Sequence, residues 1–168
     1  MNKNRKWTAE NIPDQADKIT VVTGSSSGIG YEAAKVLSNK NAKVIMAVRN
    51  MEKGEKAKQK ILAQNSSADI EVMKLDLSDL SSVKNFVDEF KSKYNKLDLL
   101  INNAGVMIPP YTKTKDGFEL QFGTNHLGHF ALTLQLLDVI EKTPNARIVN
   151  VSSGAHKYGK INFNDLNW

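Results

Sequence analysis

Residues 23–30 read Thr-Gly-Ser-Ser-Ser-Gly-Ile-Gly. The chemistry this spacing suits is the holding of a phosphate. Gly24 permits a tight turn, Gly28 lets backbone approach an anion closely, and Gly30 lets a following helix lie against the preceding strand. The helix start then offers free N–H groups and the positive end of its dipole. Three glycines alone are weak evidence. Here a short β-branched run, residues 19–23, precedes them and a helical pattern follows, which is the context the motif requires. The expected ligand is a dinucleotide, with Ser26, Ser27 and Ile29 sharing the loop with the glycines. The plain alternative is a tight turn that binds nothing.

The type of dinucleotide is legible about 20 residues further on. An acidic residue there usually holds the adenosine ribose hydroxyls and repels a 2′-phosphate. This chain has Val48-Arg49-Asn50 instead. A guanidinium binds phosphate in bidentate fashion, so NADP is expected over NAD. A surface arginine at a strand end is the competing reading.

These residues need elements to position them. Apolar runs at 19–23, 43–48, 70–75, 97–101 and 147–152 alternate with helical patterns at 29–40, 51–64, after Ser78, and within 116–142. The first helix places Ile29, Ala33, Val36 and Leu37 on one face. Ser78 is the expected cap of the third, which carries Leu80, Val83, Val87 and Phe90. The long helix sets Phe130, Leu134 and Leu137 at helical spacing. Alternation of this kind predicts an α/β fold, a Rossmann-type doubly wound parallel sheet with helices on both faces. Ligands bind such sheets beyond the carboxyl ends of the strands.

Composition narrows the classes. Apolar residues make up 40% and charged residues 24% of the 168, as in ordinary globular domains. No cysteine is present, which removes disulfides and thiolate chemistry. The net charge is +5, but its lysines are scattered with no basic stripe and interleaved aromatics, so no nucleic-acid partner is expected. No apolar run is long enough to span a membrane, and a cytoplasmic location is expected. His126 and His129 stand three apart without acidic or cysteine neighbours. They read as packed or partly exposed helix residues, and His156 as loop surface; no metal site is expected.

The glycine spacing, with three residues between Gly24 and Gly28, resembles the T-G-x-x-x-G-I-G of short-chain dehydrogenases/reductases. Further motifs follow in that family's order: Leu75-Asp76-Leu77, Asn102-Asn103-Ala104-Gly105, Asn125 within Thr-Asn-His-Leu-Gly-His-Phe, and Ser153 after the fifth strand. The resemblance covers residues 17–168, leaving 1–16 as an N-terminal extension to one dinucleotide-binding domain. The texture of "VRNMEKGEKA", "TNHLGHF" and "KINFNDL" looks most like the retinol-dehydrogenase-like branch.

The resemblance implies hydride transfer between nicotinamide and a carbonyl or alcohol, with a small lipophilic substrate and a possible homo-oligomer. It implies that Asp76 and Leu77 meet the adenine, that Asn103, Ala104 and Gly105 line the cofactor site, and that Asn125 and Ser153 are catalytic. The family also uses a tyrosine as acid/base, with a lysine four residues later. Tyr158 does not match, because Asn162 stands four residues on and Lys160 only two. The tyrosine–lysine segment is therefore expected beyond Trp168, and the five strands are five of an expected seven. On this reading the complete protein is an NADP-dependent oxidoreductase and the 168 residues alone are inactive. The alternative is a non-catalytic dinucleotide-binding or interaction module.

Overall fold

The computed structural model describes residues 7–166. The start of the 1–16 extension, residues 1–6, and Trp168 lie outside the described residues. The chain alternates β1 (Ile19–Thr23), α1 (Gly28–Ser38), β2 (Lys43–Val48), α2 (Met51–Leu62), β3 (Ile70–Lys74), α3 (Leu80–Lys93) and β4 (Leu99–Asn102). A loop then leads to a short α4 (Leu120–Phe122), a π-helical turn (Gly123–Leu127), α5 (Gly128–Lys142) and β5 (Arg147–Asn150). All strand pairs are parallel, in the order β3-β2-β1-β4-β5. This is the Rossmann-type α/β sheet that the alternation predicts.

Strands buried on both faces need apolar residues at every position. Val21, Ile45, Ala47, Met73 and Leu100 point to a core shared with Val83, Phe86, Val87 and Phe90 of α3 and Leu132 and Leu136 of α5. Their neighbours Val22, Val44, Met46, Val48 and Val72 point to the opposite core, with Ala34 and Leu37 of α1 and Ala57 and Ile61 of α2. The period of two is preserved across the sheet, and helices cover both faces. Among the described residues β5 pairs with β4 alone, and its residues are exposed.

Several local expectations are corrected. Asp79, not Ser78, caps α3: its carboxylate accepts from the backbone N–H groups of Ser81 and Ser82. An anion one residue closer to the helix outcompetes the serine. Ser78 instead donates from N and Oγ to Asp76 Oδ1, at 3.0 and 2.6 Å. Ile29 is 73% exposed and does not share the packed face of α1. On α5 the buried apolar side chains are Leu132, Leu136, Val139 and Ile140, while Phe130 and Leu134 lie outward.

Candidate functional site

The carboxyl ends of β1, β2, β3 and β4 open onto one cavity of about 410 Å³. It lies at the switch point, where β1 has β2 on one side and β4 on the other. The glycine loop contributes Gly24, Ser26 and Ser27; the end of β2 contributes Arg49; the end of β3 contributes Asp76 and Leu77. Asn103, Ala104 and Gly105 complete the wall after β4. Nine of the residues singled out in the sequence therefore share one cavity.

Gly28, Ile29 and Gly30 shape the loop without lining that cavity. Gly28 has φ +59°, and a Cβ placed there meets nothing within 4 Å. The chain leaves open space at the start of α1, where an anion is favoured. Gly30 is the opposite case. A Cβ there would lie 2.4 Å from Asn103 Nδ2 and 2.7 Å from the Gly24 carbonyl oxygen. The turn after β4 thus packs directly on the first turn of α1, and Asn103 Nδ2 donates to the Thr23 carbonyl at 2.9 Å.

Arg49 is exposed, and its backbone carbonyl accepts from Lys74 Nζ. Lys53 also lines the cavity, and sequence reasoning missed it. Asn50 Oδ1 accepts from Lys53 N at 2.8 Å, which caps α2 and places Lys53 one turn beyond Arg49. The available signal was a lysine four residues after a strand-end arginine. Among the described residues neither Arg49 nor Lys53 has an ion-pair partner, whereas Lys56, next along α2, is held by Glu52 at 2.6 Å. Two free cations and no carboxylate mark this end of the cavity.

Asn125 sits in the π-helical turn, a feature common at functional sites. Its Oδ1 accepts from Val106 N and its Nδ2 donates to the Val106 carbonyl, both at 2.8 Å. Its neighbour Thr124 lines the cavity with an unpartnered buried hydroxyl. Ser153 is outside the cavity lining: it is exposed, follows β5 at the same edge of the sheet, and caps a short 3₁₀ turn through Oγ to Ala155 N at 3.2 Å. Tyr158 ends that turn, 92% exposed, on no α-helix. Two other tyrosines do have a lysine four residues on. Lys35 after Tyr31 is paired with Glu32, and Lys115 after Tyr111 with Asp79, and neither tyrosine lines the cavity.

The family described as short chain dehydrogenase matches residues 18–164. The chain belongs to that family. Among curated relatives, Retinol dehydrogenase 12 of Mus musculus is 50% identical over 149 residues, 89% of this chain and 47% of that protein. Retinol dehydrogenase 13 of Homo sapiens is 44% identical over 151 residues, 90% of this chain and 46% of that protein. These place the chain on the retinol-dehydrogenase-like branch, whose members are oxidoreductases. The chain spans about half the length of the curated relatives it matches. The solved structure of an uncharacterized protein from Mycobacterium paratuberculosis is 49% identical, with TM-score 0.82, over 96% of this chain and 56% of that one. A short chain dehydrogenase from Escherichia coli CFT073, solved with NADPH, is 27% identical with TM-score 0.74, over 87% of this chain and 62% of that one.

The cavity fits a dinucleotide. It has a glycine turn with room at the helix start, two unpaired cations at the end of β2, and a carboxylate at the end of β3. No helix among the described residues is long and apolar enough to cross a membrane.

Proposed function

We propose that this chain carries the cofactor-binding part of an NADP-dependent oxidoreductase that interconverts a small lipophilic carbonyl compound and its alcohol. The observation that carries the cofactor choice is the unpaired Arg49–Lys53 couple with no acid beside it. When bound, the dinucleotide supplies or accepts the hydride. The chain's own residues do the rest. The glycine loop and the start of α1 hold the pyrophosphate through backbone N–H groups. Arg49 and Lys53 neutralise the 2′-phosphate, and Asp76 and Leu77 border the adenine. Asn103, Ala104 and Gly105 form the wall along the ribose and nicotinamide. Ser153 donates a hydrogen bond to the substrate oxygen, and Asn125 shapes the floor between Val106 and α5. Tyr158 is given no proton-transfer role, because it is solvated and has no lysine one turn away.

Support for the substrate class comes from the names of the relatives, and support for NADP from the NADPH-bound neighbour. The test is a titration of the full-length protein with NADPH and NADH, repeated with Arg49→Asp. A charge-assisted contact is worth about 1.5–3 kcal/mol, or roughly tenfold to a hundredfold in affinity. NADPH binding is expected to weaken by that factor while NADH binding does not. Equal NADPH affinity before and after the change removes Arg49 from the site, and tighter binding of NADH by the unaltered protein overturns the cofactor assignment.

A further inference from the structure

His129 is only 7% exposed, and both of its ring nitrogens are engaged. Nε2 lies 2.8 Å from Thr23 Oγ1, and Nδ1 lies 2.9 Å from the backbone carbonyl of Asn125. The same Thr23 oxygen accepts from the backbone N–H groups of Asn103 and Ala104, each at 2.9 Å. One side chain thus touches the last residue of β1 and the π-helical turn, and through Thr23 it reaches the turn after β4.

Counting donors and acceptors decides the proton positions. A threonine hydroxyl has two lone pairs and one hydrogen. Asn103 and Ala104 occupy both lone pairs, so the hydrogen must be donated. Its candidate acceptors are His129 Nε2 at 2.8 Å and the Ile101 carbonyl at 3.4 Å, and the nearer one is favoured. Nε2 then carries no proton, and Nδ1–H donates to the Asn125 carbonyl. The other tautomer would press a third donor on Thr23 Oγ1 and set the Nδ1 lone pair against a carbonyl oxygen. Burial also pushes the His129 pKa down, against a partly opposing bond to Asn125, which agrees with a neutral ring.

We infer that His129 is a positioning residue: as the neutral Nδ1–H tautomer it ties the Thr23 hydroxyl, and with it the turn after β4, to the backbone carbonyl of Asn125. The inference rests on the oxidoreductase reading of Asn103, Ala104 and Asn125. The imidazole bonds a carbonyl of the π-helical turn from the side and so fixes the height of Asn125 relative to the cofactor wall. In the Asn125 side chain, both amide atoms are already committed to Val106, so backbone and side chain are held from two directions.

Two measurements test this. The first is isotope-edited NMR of the histidine-labelled full-length protein, which reads the tautomer without any cofactor. A ring protonated on Nδ1 alone at neutral pH supports the inference; protonation on Nε2, alone or with Nδ1, overturns it. The second is the kinetics of His129→Leu and His129→Asn beside NADPH titration. The leucine variant is expected to lower kcat about tenfold to a hundredfold, the scale of a small misplacement in a catalytic site, with KM for the carbonyl little changed. The asparagine variant, whose Nδ2 replaces Nδ1 as donor to Asn125, is expected to recover most of that loss. An unchanged kcat in the leucine variant, or no recovery in the asparagine variant, overturns the inference. If the leucine variant fails to fold, His129→Asn is compared with His129→Gln, which keeps the acceptor for Thr23 but not the donor to Asn125. The asparagine variant must then be the faster, and an equal or reversed order overturns the inference. Failure of the unaltered protein to bind NADPH defeats the proposed function instead and leaves the tautomer measurement standing by itself.

Discussion

Gly28 and Gly30 are two residues apart, and alanine at each is expected to damage a different property. At Gly28 a Cβ meets nothing within 4 Å, so the folded chain suffers no clash. What alanine loses there is the left-handed backbone at φ +59°, which costs an L-residue about 1–2 kcal/mol. At Gly30 the backbone is helical, and alanine gains about 1 kcal/mol of helix propensity. Against that, its Cβ would lie 2.4 Å from Asn103 Nδ2 and 2.7 Å from the Gly24 carbonyl oxygen. Overpacking costs about 1–3 kcal/mol, and displacing the Asn103 amide from the Thr23 carbonyl adds about 1–3 kcal/mol. The net for Gly30→Ala is therefore about 1–5 kcal/mol. Ligand binding should sort the other way. The open space beside Gly28 is where the pyrophosphate is expected, so Gly28→Ala should lose more than tenfold in NADPH affinity, or about 1.4 kcal/mol, while remaining well folded. Urea unfolding and calorimetric titration of the full-length protein measure both quantities. Retention of NADPH affinity by Gly28→Ala refutes the assignment of that space, and a Gly30→Ala variant that loses less than about 1 kcal/mol refutes the packing argument.

Further outcomes are expected from the scaffold. Thr143→Val should destabilise the fold by about 1–3 kcal/mol in urea unfolding, because it strands the buried Leu97 N–H that Thr143 Oγ1 accepts at 3.0 Å; a loss below about 0.5 kcal/mol would show that water or backbone movement replaces that bond. The Lys115 ammonium, helped by Ser81, brings the Asp79 carboxyl down to about 2 from its ordinary 3.8. The folded-state value lies below the unfolded one, so this contribution is present above about pH 4 and is lost as pH falls from there toward 2. Asp79→Asn should flatten the melting temperature in that window, and an unchanged pH profile would exclude the pairing. Hydrogen exchange on the 168-residue chain should leave the amides of residues 153–166 the fastest among the described residues and those of Val21, Val22 and Ile45 the slowest; equal protection of the two groups would contradict the exposure of Ser153.

The sheet was legible because parallel strands buried on both faces must be apolar at successive positions, as in residues 19–23 and 43–48. The glycine loop was legible because its context is local, a strand before and a helix after. What stayed hidden depends on residues distant in sequence. Nothing within Thr-Asn-His-Leu-Gly-His-Phe announces a π-helical turn; it goes with bonds from the Asn125 amide to Val106, 19 residues earlier. The cap of α3 was misplaced by one residue because Ser78 and Asp79 are both good caps. Its choice followed from the bonds of Ser78 to Asp76 and of Asp79 to Lys115, 36 residues later. Lys53 was hidden for a different reason: a lysine-rich helix gives no sign of which cation faces the sheet edge until α2 is docked.

His129 and Ser153 show how differently the same edge of the sheet is supported. The spacing of the histidines gave a packed helix residue as the bland reading of His129, and the burial agrees with it. The bonds to Thr23 and Asn125 add what spacing cannot: a packed residue whose two nitrogens face two parts of one site. Such a residue is costly to replace, because each partner is buried or backbone and loses its bond outright. Ser153 has the opposite surroundings. Its hydroxyl caps a four-residue 3₁₀ turn, and every described residue from Arg147 to Leu166 is exposed apart from the backbone pairing of β5. The cavity wall is thus fixed by crossed hydrogen bonds among β1, the turn after β4 and the start of α5, while among the described residues the Ser153 hydroxyl bonds only within its own turn.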